Sequence, residues 1–268
     1  MNDRAQDWDE AADVVVVGYG FAGGAAAIAA ADAGCRVLLL EKMAVPGGIS
    51  ICSGGGLRVA NDAGKALLYL EATNAGTTSS ELLRAFAGEM TTLRARFEEL
   101  AKVDGAKVTA LDRPANYPLP GWDTFQFIEV ESVPGFDPRR EYPHARSLKA
   151  GINAFKVVDD NVRARPDIEV RLSTPVTRLL QDGAGHVVGV QSACRSREGG
   201  NPVTRIHARR GVILACGGFE SDVAMQRQYW QFHPVLPAAT RGNTGDGIRM
   251  GQAVGADLCH MWHFHDSY

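Results

Sequence analysis

Apolar runs divide the start of this chain into a strand, a helix and a second strand. The valines at positions 14–17 are consecutive, which is typical of a strand buried on both faces of a parallel sheet. An alanine-rich run follows and ends near Gly34, where glycine is a common helix stop. The mostly apolar residues 36–40 then predict another buried strand. Residues 13–41 are therefore expected to form one β-α-β unit.

The pattern changes twice before the middle of the chain. Residues 81–102 carry apolar side chains at helical spacing, which predicts one long helix with a polar outer face. Residues 114–143 are rich in proline and aromatic residues, and we expect an irregular surface there because proline interrupts helices. This surface could cover a substrate pocket. Its aromatic side chains could equally anchor a long loop to the domain.

Regular patterns return in the second half. A helix is predicted near residues 148–165, and short alternating strands are predicted at 168–172, 176–181, 186–192 and 204–208. The apolar residues 210–215 predict one more buried strand, which runs into a Cys-Gly-Gly sequence. Residues 242–256 predict a glycine turn followed by a short helix. The order of these elements predicts an α/β fold with a central parallel sheet and a β-meander.

Composition and charge exclude several classes of protein. The chain has 268 residues, 45% of them hydrophobic, and a net charge of -3, so it has a sizeable core and no basic footprint for nucleic acid. The apolar stretch 11–31 follows an acidic segment and is interrupted by glycines, so we expect no membrane span. The 5 cysteines lack C-x-x-C spacing, which favours a reducing, cytoplasmic compartment over a disulfide scaffold or structural zinc.

Three glycines in the first unit suggest a phosphate-binding turn. Gly18 permits the turn, Gly20 lets the backbone approach a pyrophosphate, and Gly23 lets the following helix pack closely on the strand. The free N–H groups at the start of that helix would face the phosphates. Glu41 follows the second strand, where a carboxylate can accept hydrogen bonds from a ribose 2′-hydroxyl. This spacing predicts dinucleotide binding.

Other interpretations of the same unit are weaker. A packed β-α-β unit without a ligand explains the valines, but it does not explain why Gly18 and Gly20 both lack side chains. Glutamate at position 41 disfavours a 2′-phosphate on the ribose, so FAD or NAD is expected rather than NADP.

Further glycine motifs give the chain a family resemblance. The unit G-Y-G-F-A-G-G, Glu41-Lys42, the loop P-G-G-I-S-I-C-S-G-G-G, the meander leading to V-I-L-A-C-G-G-F-E, and T-G-D-G-I occur in that order. This set resembles the FAD-binding part of the fumarate reductase/succinate dehydrogenase flavoprotein superfamily. The S-G-G-G-L form of the second glycine loop is more similar to the 3-ketosteroid dehydrogenase-like branch of that superfamily. The resemblance implies a Rossmann-like FAD-binding domain.

The resemblance also implies which residues hold the cofactor. Glu41 would hold the adenosine ribose, and Lys42 belongs to the same contact set. Val176 would offer backbone contacts to adenine, and Asp246 and Gly247 would face FAD. The residues implied along the pyrophosphate are Gly18, Gly20, Phe21, Ala22 and Gly23. Those implied along the ribityl chain and the flavin edge are Gly48, Ser50, Ser53, Gly54 and Gly55, and those behind the cofactor are Ala215, Gly217 and Gly218.

Two features qualify what the resemblance implies. Relatives with covalently attached FAD use a histidine in the loop after the second strand, and residues 43–60 contain none, so noncovalent FAD is expected. The family's mobile cap domain follows the T-G-D-G helix, whereas this chain stops at Tyr268. We therefore expect a truncated chain without the cap, whose catalytic residues lie elsewhere. His265 is a weak active-site candidate, and a metal site at His260, His263 and His265 is disfavoured.

The expected domain is single, spanning residues 1–268. It would be built from 1–60 and 151–268, with 61–150 as a helical and proline-rich excursion. Its expected function is FAD-dependent oxidation or reduction of a small-molecule substrate, with hydride transfer at a carbon–carbon bond next to a carbonyl or carboxylate. A noncatalytic FAD-binding fragment and an NAD-dependent dehydrogenase remain as alternatives.

Overall fold

The structure is a computed structural model that describes residues 7–145, 150–193, 203–237, 240–259 and 261. Contacts divide it into two compact units. The first comprises Met1–Cys52 with Val162–Tyr268, and the second comprises Ser53–Asn161. The single domain expected from the sequence stays a prediction.

The described part of the chain contains these strands and helices. The strands are β1 (Glu10–Val17), β2 (Val37–Leu40), β3 (Leu57–Ala60), β4 (Lys107–Leu111), β5 (Phe125–Ser132), β6 (Ile168–Arg171), β7 (Val176–Gln181), β8 (Val187–Ala193) and β9 (Val203–Leu214). The helices are α1 (Phe21–Asp32), α2 (Ala63–Thr73), α3 (Ser80–Leu100), α4 (Pro138–Glu141), α5 (Gly151–Arg163), α6 (Val223–Tyr229) and α7 (Asp246–Ala253).

A six-stranded sheet organises the first unit, with the strand order β6-β2-β1-β9-β8-β7. The pairs β6-β2, β2-β1 and β1-β9 are parallel, whereas β9-β8 and β8-β7 are antiparallel. Val15, Val16 and Leu39 are fully buried at its centre, and each such side chain contributes about 1.5–3 kcal/mol on burial. The prediction of a parallel sheet with a β-meander is confirmed.

The last strand of the meander differs from its prediction. The sequence suggested two strands, 204–208 and 210–215, but the structure has one continuous strand, β9. Its pairing with β1 shifts register between Ala12 and Val14, and Gly211, which pairs with Val14, has a φ of 152°. A β-bulge therefore lets one strand leave the meander and continue beside β1 without a break.

The second unit contains an antiparallel sheet with the order β3-β5-β4. Ala60 and Phe125 of this sheet pack against Ala66 of α2 and Met90 of α3. The predicted long helix is present as α3, and the Ser79 hydroxyl accepts a hydrogen bond from the Leu82 N–H at 3.3 Å.

The prediction of an irregular surface over 114–143 was wrong for β5. The residues F-Q-F-I-E-V-E-S alternate between apolar and polar side chains, which is a strand pattern. Prolines flank this segment but do not interrupt it. No described helix is long and apolar enough to cross a membrane.

Candidate nucleotide-binding site

Three parallel strands end together at one edge of the first sheet. The Gly18 N–H after β1 donates to the Leu40 carbonyl at 2.7 Å, and the Ala215 N–H after β9 donates to the Val17 carbonyl at 2.8 Å. A cavity of about 540 Å³ lies at these strand ends. Carboxyl ends of parallel strands are where open α/β sheets bind ligands.

The chain's own packing requires two of the three glycines in the first turn. Gly18 has a φ of 104°, and a Cβ built on it would overlap the Ala215 carbonyl. A Cβ on Gly23 would overlap the carbonyl of Gly18, which brings α1 directly against the end of β1. Gly18 therefore allows the turn, and Gly23 allows the close packing of helix on strand.

Gly20 is less constrained by packing. A Cβ at this position would lie 2.9 Å from the Ser50 hydroxyl oxygen, which is the end of a rotatable side chain. The Ser50 hydroxyl also accepts a hydrogen bond from the Phe21 N–H at 2.9 Å. Gly20, Phe21 and Ala22 line the cavity where α1 begins. Here the missing side chain leaves the start of α1 uncovered at the cavity, where the positive end of the helix dipole favours an anion.

Glu41 presents a fixed carboxylate to the cavity. One oxygen, Oε2, accepts from the Tyr19 N–H at 2.8 Å, and Oε1 accepts from the Met43 N–H at 2.8 Å. The residue is only 8% exposed. Because each carboxylate oxygen has two lone pairs, both oxygens can still accept a hydrogen bond from a hydroxyl group. Backbone bonds thus orient an acceptor pair suited to a ribose diol.

Lys42 links the first motif to the last one. Its Nζ donates to Asp246 Oδ2 at 2.6 Å and to Thr244 Oγ1 at 2.7 Å. The Thr244 hydroxyl in turn donates to Asp246 Oδ1 at 2.9 Å. The sequence predicted Lys42 and Asp246 as separate cofactor contacts, and the structure places them in one ion pair at the cavity. This pairing offsets the charge of a carboxylate that would otherwise repel phosphate.

Cys216 lies in the cavity wall, and its surroundings disfavour the thiolate form. Burial, assisted by the negative charges of Asp246 and Glu41, raises the pKa of Cys216 to about 11. Its thiol lies 3.4 Å from the Val17 carbonyl and donates to it. Cys216 is half-buried, and a protonated thiol in such a place packs as a small apolar side chain.

The structure brings most of the predicted site residues to this cavity. The predicted residues in its lining are Gly18, Gly20, Phe21, Ala22, Glu41, Lys42, Gly48, Ser50, Val176, Ala215, Gly217, Asp246 and Gly247.

Five predicted residues lie outside that lining. Gly23 packs on Gly18, and the Gly218 carbonyl accepts a hydrogen bond from the Gly245 N–H at 3.0 Å. The remaining three are Ser53, Gly54 and Gly55, which belong to the second unit.

Sequence reasoning missed several residues of the lining, including Tyr19, Thr174 and Asn243. Asn243 is 8% exposed, and its side-chain amide donates to Glu220 Oε1 at 2.5 Å. Its position directly before T-G-D-G was a usable signal, because a polar residue beside a glycine turn often fixes the turn. Tyr19 lies between the predicted residues Gly18 and Gly20, so its position was also a usable signal, whereas Thr174 follows β6 without a motif of its own.

Metal binding has no support in the described ranges, where no group of three or more His, Cys, Asp or Glu side chains could hold an ion. His260, His263 and His265 lie outside the described residues.

Two reductases resemble this chain over most of its length. Digoxin reductase from Eggerthella lenta is 28% identical over 271 residues, which cover 94% of this chain and 46% of that protein. Urocanate reductase from the same organism is 28% identical over 259 residues, covering 93% of this chain and 39% of that protein. The chain thus spans less than half the length of these relatives.

A solved structure shows the same fold. The 3-ketosteroid delta1-dehydrogenase from Sterolibacterium denitrificans aligns with a TM-score of 0.79 and 23% identity, covering 94% of this chain and 56% of that one. Residues 13–265 match the family described as FAD binding domain. That match includes the glycine turn, Glu41, the meander and the Lys42–Asp246 pair. The chain therefore belongs to the FAD binding domain family, and its cofactor is FAD.

Proposed function

We propose that this protein is an FAD-dependent oxidoreductase that transfers hydride between flavin and a carbon–carbon bond next to a carbonyl or carboxylate. The observation that carries the proposal is the cavity at the ends of β1, β2 and β9, which combines an open helix start with the fixed Glu41 carboxylate. Relatives are named for the reduction of urocanate, acrylate and fumarate, which are unsaturated acids.

Each part of the cavity suits a different part of FAD. Gly20, Phe21 and Ala22 would hold the pyrophosphate at the start of α1, and Glu41 would accept hydrogen bonds from the ribose hydroxyls. Val176 lines the same cavity, which supports a contact with adenine. Residues 43–60 contain no histidine, which supports noncovalent attachment.

The remaining predicted contacts are proposed on the same basis. Gly48, Ser50, Ala215 and Gly217 line the cavity, as do Asp246 and Gly247. For Ser53, Gly54 and Gly55 the support is their place in the glycine loop. Gly23 and Gly218 would act indirectly, by shaping the turns on either side.

Flavin supplies the hydride acceptor or donor when it is bound. The chain's own residues bind and orient it, and the Lys42–Asp246 pair limits repulsion between carboxylate and phosphate. The raised pKa of Cys216 favours its neutral thiol, which adds to the cavity wall. A proton donor or acceptor for the substrate is not assigned among the described residues.

The visible spectrum tests the cofactor part of the proposal. After expression and gel filtration, we expect an oxidised flavin absorbance that coelutes with protein and is released by denaturation. Glu41→Ala should retain less flavin, whereas Glu98→Ala, a change in an exposed ion pair, should retain as much as the parent. Colourless protein that binds NAD would overturn the proposal.

Turnover separates an enzyme from an inert FAD binder. The protein is reduced anaerobically with dithionite and mixed with separate enoates and enones, such as acrylate, fumarate and cyclohexenone. Return of the oxidised spectrum with one class of acceptor supports the oxidoreductase. Reoxidation by oxygen alone favours the alternative of a noncatalytic FAD-binding fragment.

The proposal includes a small-molecule substrate and a reducing, cytoplasmic compartment. The compartment is supported by the described cysteines Cys35, Cys52, Cys216 and Cys259, which are free thiols.

A further inference from the structure

The second unit contains a cavity of its own, with a volume of about 520 Å³. Its walls come from α2, α3, β3, β5 and the segment around Tyr117. None of the described residues in its lining also lines the nucleotide cavity. The volume falls in the range typical of small-molecule sites.

The walls of this cavity are mainly aromatic and aliphatic. Tyr69 and Phe125 meet edge to face with ring centroids 5.0 Å apart, and Met90 of α3 is buried beside them. Phe86 and Tyr117 remain 54% and 65% exposed, although both line the cavity. Ring faces and a methionine form an adaptable surface for a flat apolar molecule.

Arg58 places a positive charge in this apolar wall. Its guanidinium carbon lies 3.8 Å from the centroid of the Phe127 ring, and Nη1 donates to the Arg113 carbonyl at 3.1 Å. No carboxylate in the described ranges pairs with it. The Arg58 side chain is half-buried, and this burial lowers the pKa of its guanidinium.

The other charged residues of the lining do not neutralise Arg58. Glu89 and Arg96 pair with each other at 2.9 Å, and their side chains are 64% and 65% exposed. The cavity therefore keeps one excess positive charge, held on an aromatic ring. A guanidinium has five N–H donors, and the described contacts of Arg58 use one of them.

We propose that this cavity binds a flat, largely apolar small molecule that carries one anionic group, with Arg58 as the residue that recognises the anion. Apolar walls account for the ring system, and the unpaired guanidinium accounts for the carboxylate or sulfonate. A wholly apolar ligand would leave the arginine desolvated and unpaired.

A pair of probes that differ in charge tests this proposal. The anion 8-anilinonaphthalene-1-sulfonate and its uncharged analogue N-phenyl-1-naphthylamine are each dialysed to equilibrium against the FAD-loaded chain. We expect one sulfonate bound per chain. Arg58→Met should weaken sulfonate binding about tenfold or more, because a hydrogen bond to a charged group is lost. Binding of the uncharged probe should change less than about twofold.

Three further variants separate charge, space and position. Arg58→Lys should keep the preference for the anion, and Leu93→Trp should weaken both probes by filling the cavity. Arg94→Met is the matched control, because Arg94 lies next to Leu93 on α3, pairs with Glu98 and does not line the cavity. Circular dichroism and thermal unfolding establish that each variant is folded.

Several results would overturn the proposal. Sulfonate binding that does not saturate, or that is equal in folded Arg58→Met and the parent, excludes Arg58 as the recognition residue. Release of FAD by the sulfonate would place the probe in the nucleotide cavity instead. Since FAD loading is measured separately by its absorbance, failure here is distinct from failure of the proposed function.

Discussion

The two cavities have nearly equal volumes, about 540 and 520 Å³. They differ in that backbone groups shape the first cavity, whereas side chains shape the second. In the first unit, glycine turns and strand ends shape the site, and Glu41 is held by two backbone N–H groups. In the second unit, rings and the long side chain of Arg58 shape it. A site made of backbone depends on residues that cannot be enlarged, whereas a site made of side chains tolerates exchange.

The first and largest expected effect compares two helical glycines, one from each unit. Gly23→Ala would force a Cβ into the Gly18 carbonyl, and we expect a loss of about 3 kcal/mol in the free energy of unfolding, together with loss of FAD. Gly88→Ala in α3 meets no atom within 4 Å and should stabilise the protein by about 0.5–1 kcal/mol. Urea unfolding measures both. Equal changes in the free energy of unfolding for the two variants would contradict the difference between the backbone-built and side-chain-built units.

The second effect concerns the carboxylate that backbone bonds hold in place. Glu41→Ala removes the acceptors of the Tyr19 and Met43 N–H groups, and we expect a loss of about 2 kcal/mol in unfolding free energy. FAD affinity should fall about tenfold, as measured by titration of the apoprotein. Glu98→Ala is the control, since its ion pair with Arg94 is exposed and worth less than about 1 kcal/mol. Unchanged FAD affinity in Glu41→Ala would contradict its proposed contact with ribose.

The backbone-built site was the more predictable of the two. Gly18, Gly20, Gly23 and Glu41 lie within one β-α-β unit, so their arrangement follows from local spacing. Arg58 is different, because its stacking depends on the register that places it opposite Phe127 in the β3-β5 pair. No spacing rule gives that register in advance.

Long-range pairs and strand boundaries were also not predicted, because they too depend on the folded arrangement of the chain. Lys42 and Asp246 are 204 positions apart, so only the folded sheet shows that they form one ion pair. The parallel sheet was predictable from its apolar runs. The continuity of β9 was not, because a bulge at Gly211 has the same local sequence pattern as a turn.

A third, smaller effect tests whether the Lys42–Asp246 pair acts as a unit in the first cavity. Lys42→Met leaves the Asp246 carboxylate without its cation, and FAD affinity should fall about fivefold because the carboxylate then repels phosphate. Asp246→Asn should restore much of that loss when the two changes are combined. A double-mutant cycle on FAD affinity measures the coupling, which we expect to be about 1 kcal/mol. Additive effects would show that the two residues act independently.

The smallest effect concerns Asp104 in the second unit. Asp246 in the first unit pairs with a lysine, whereas the Asp104 carboxylate has no such cation among the described residues. Asp104 Oδ2 has no hydrogen-bond donor in the described ranges, and Lys156 donates to the neighbouring Asp160 at 2.6 Å and pairs with Glu141 at 3.0 Å. Burial and the charge of Asp160 raise the pKa of Asp104 above its ordinary value of 3.8. The folded state therefore keeps a proton that the unfolded state loses, so this group's contribution to stability falls as pH rises from 3.8 through the raised pKa.

Asp104→Asn should remove this loss, because an amide is uncharged and can donate to Asp160. We expect the variant to be more stable than the parent by about 0.5 kcal/mol at pH 7, with the difference vanishing near pH 3, where Asp104 is protonated in both states.

Asp123→Asn is the control and should show the opposite sign. A hydrogen bond from Lys65 lowers the pKa of Asp123, so the stabilisation from this group is lost as pH falls through that lowered pKa. Urea unfolding at both pH values measures the two differences. If both variants shifted in the same direction between pH 7 and pH 3, the local partners of these carboxylates would not control their contribution to stability.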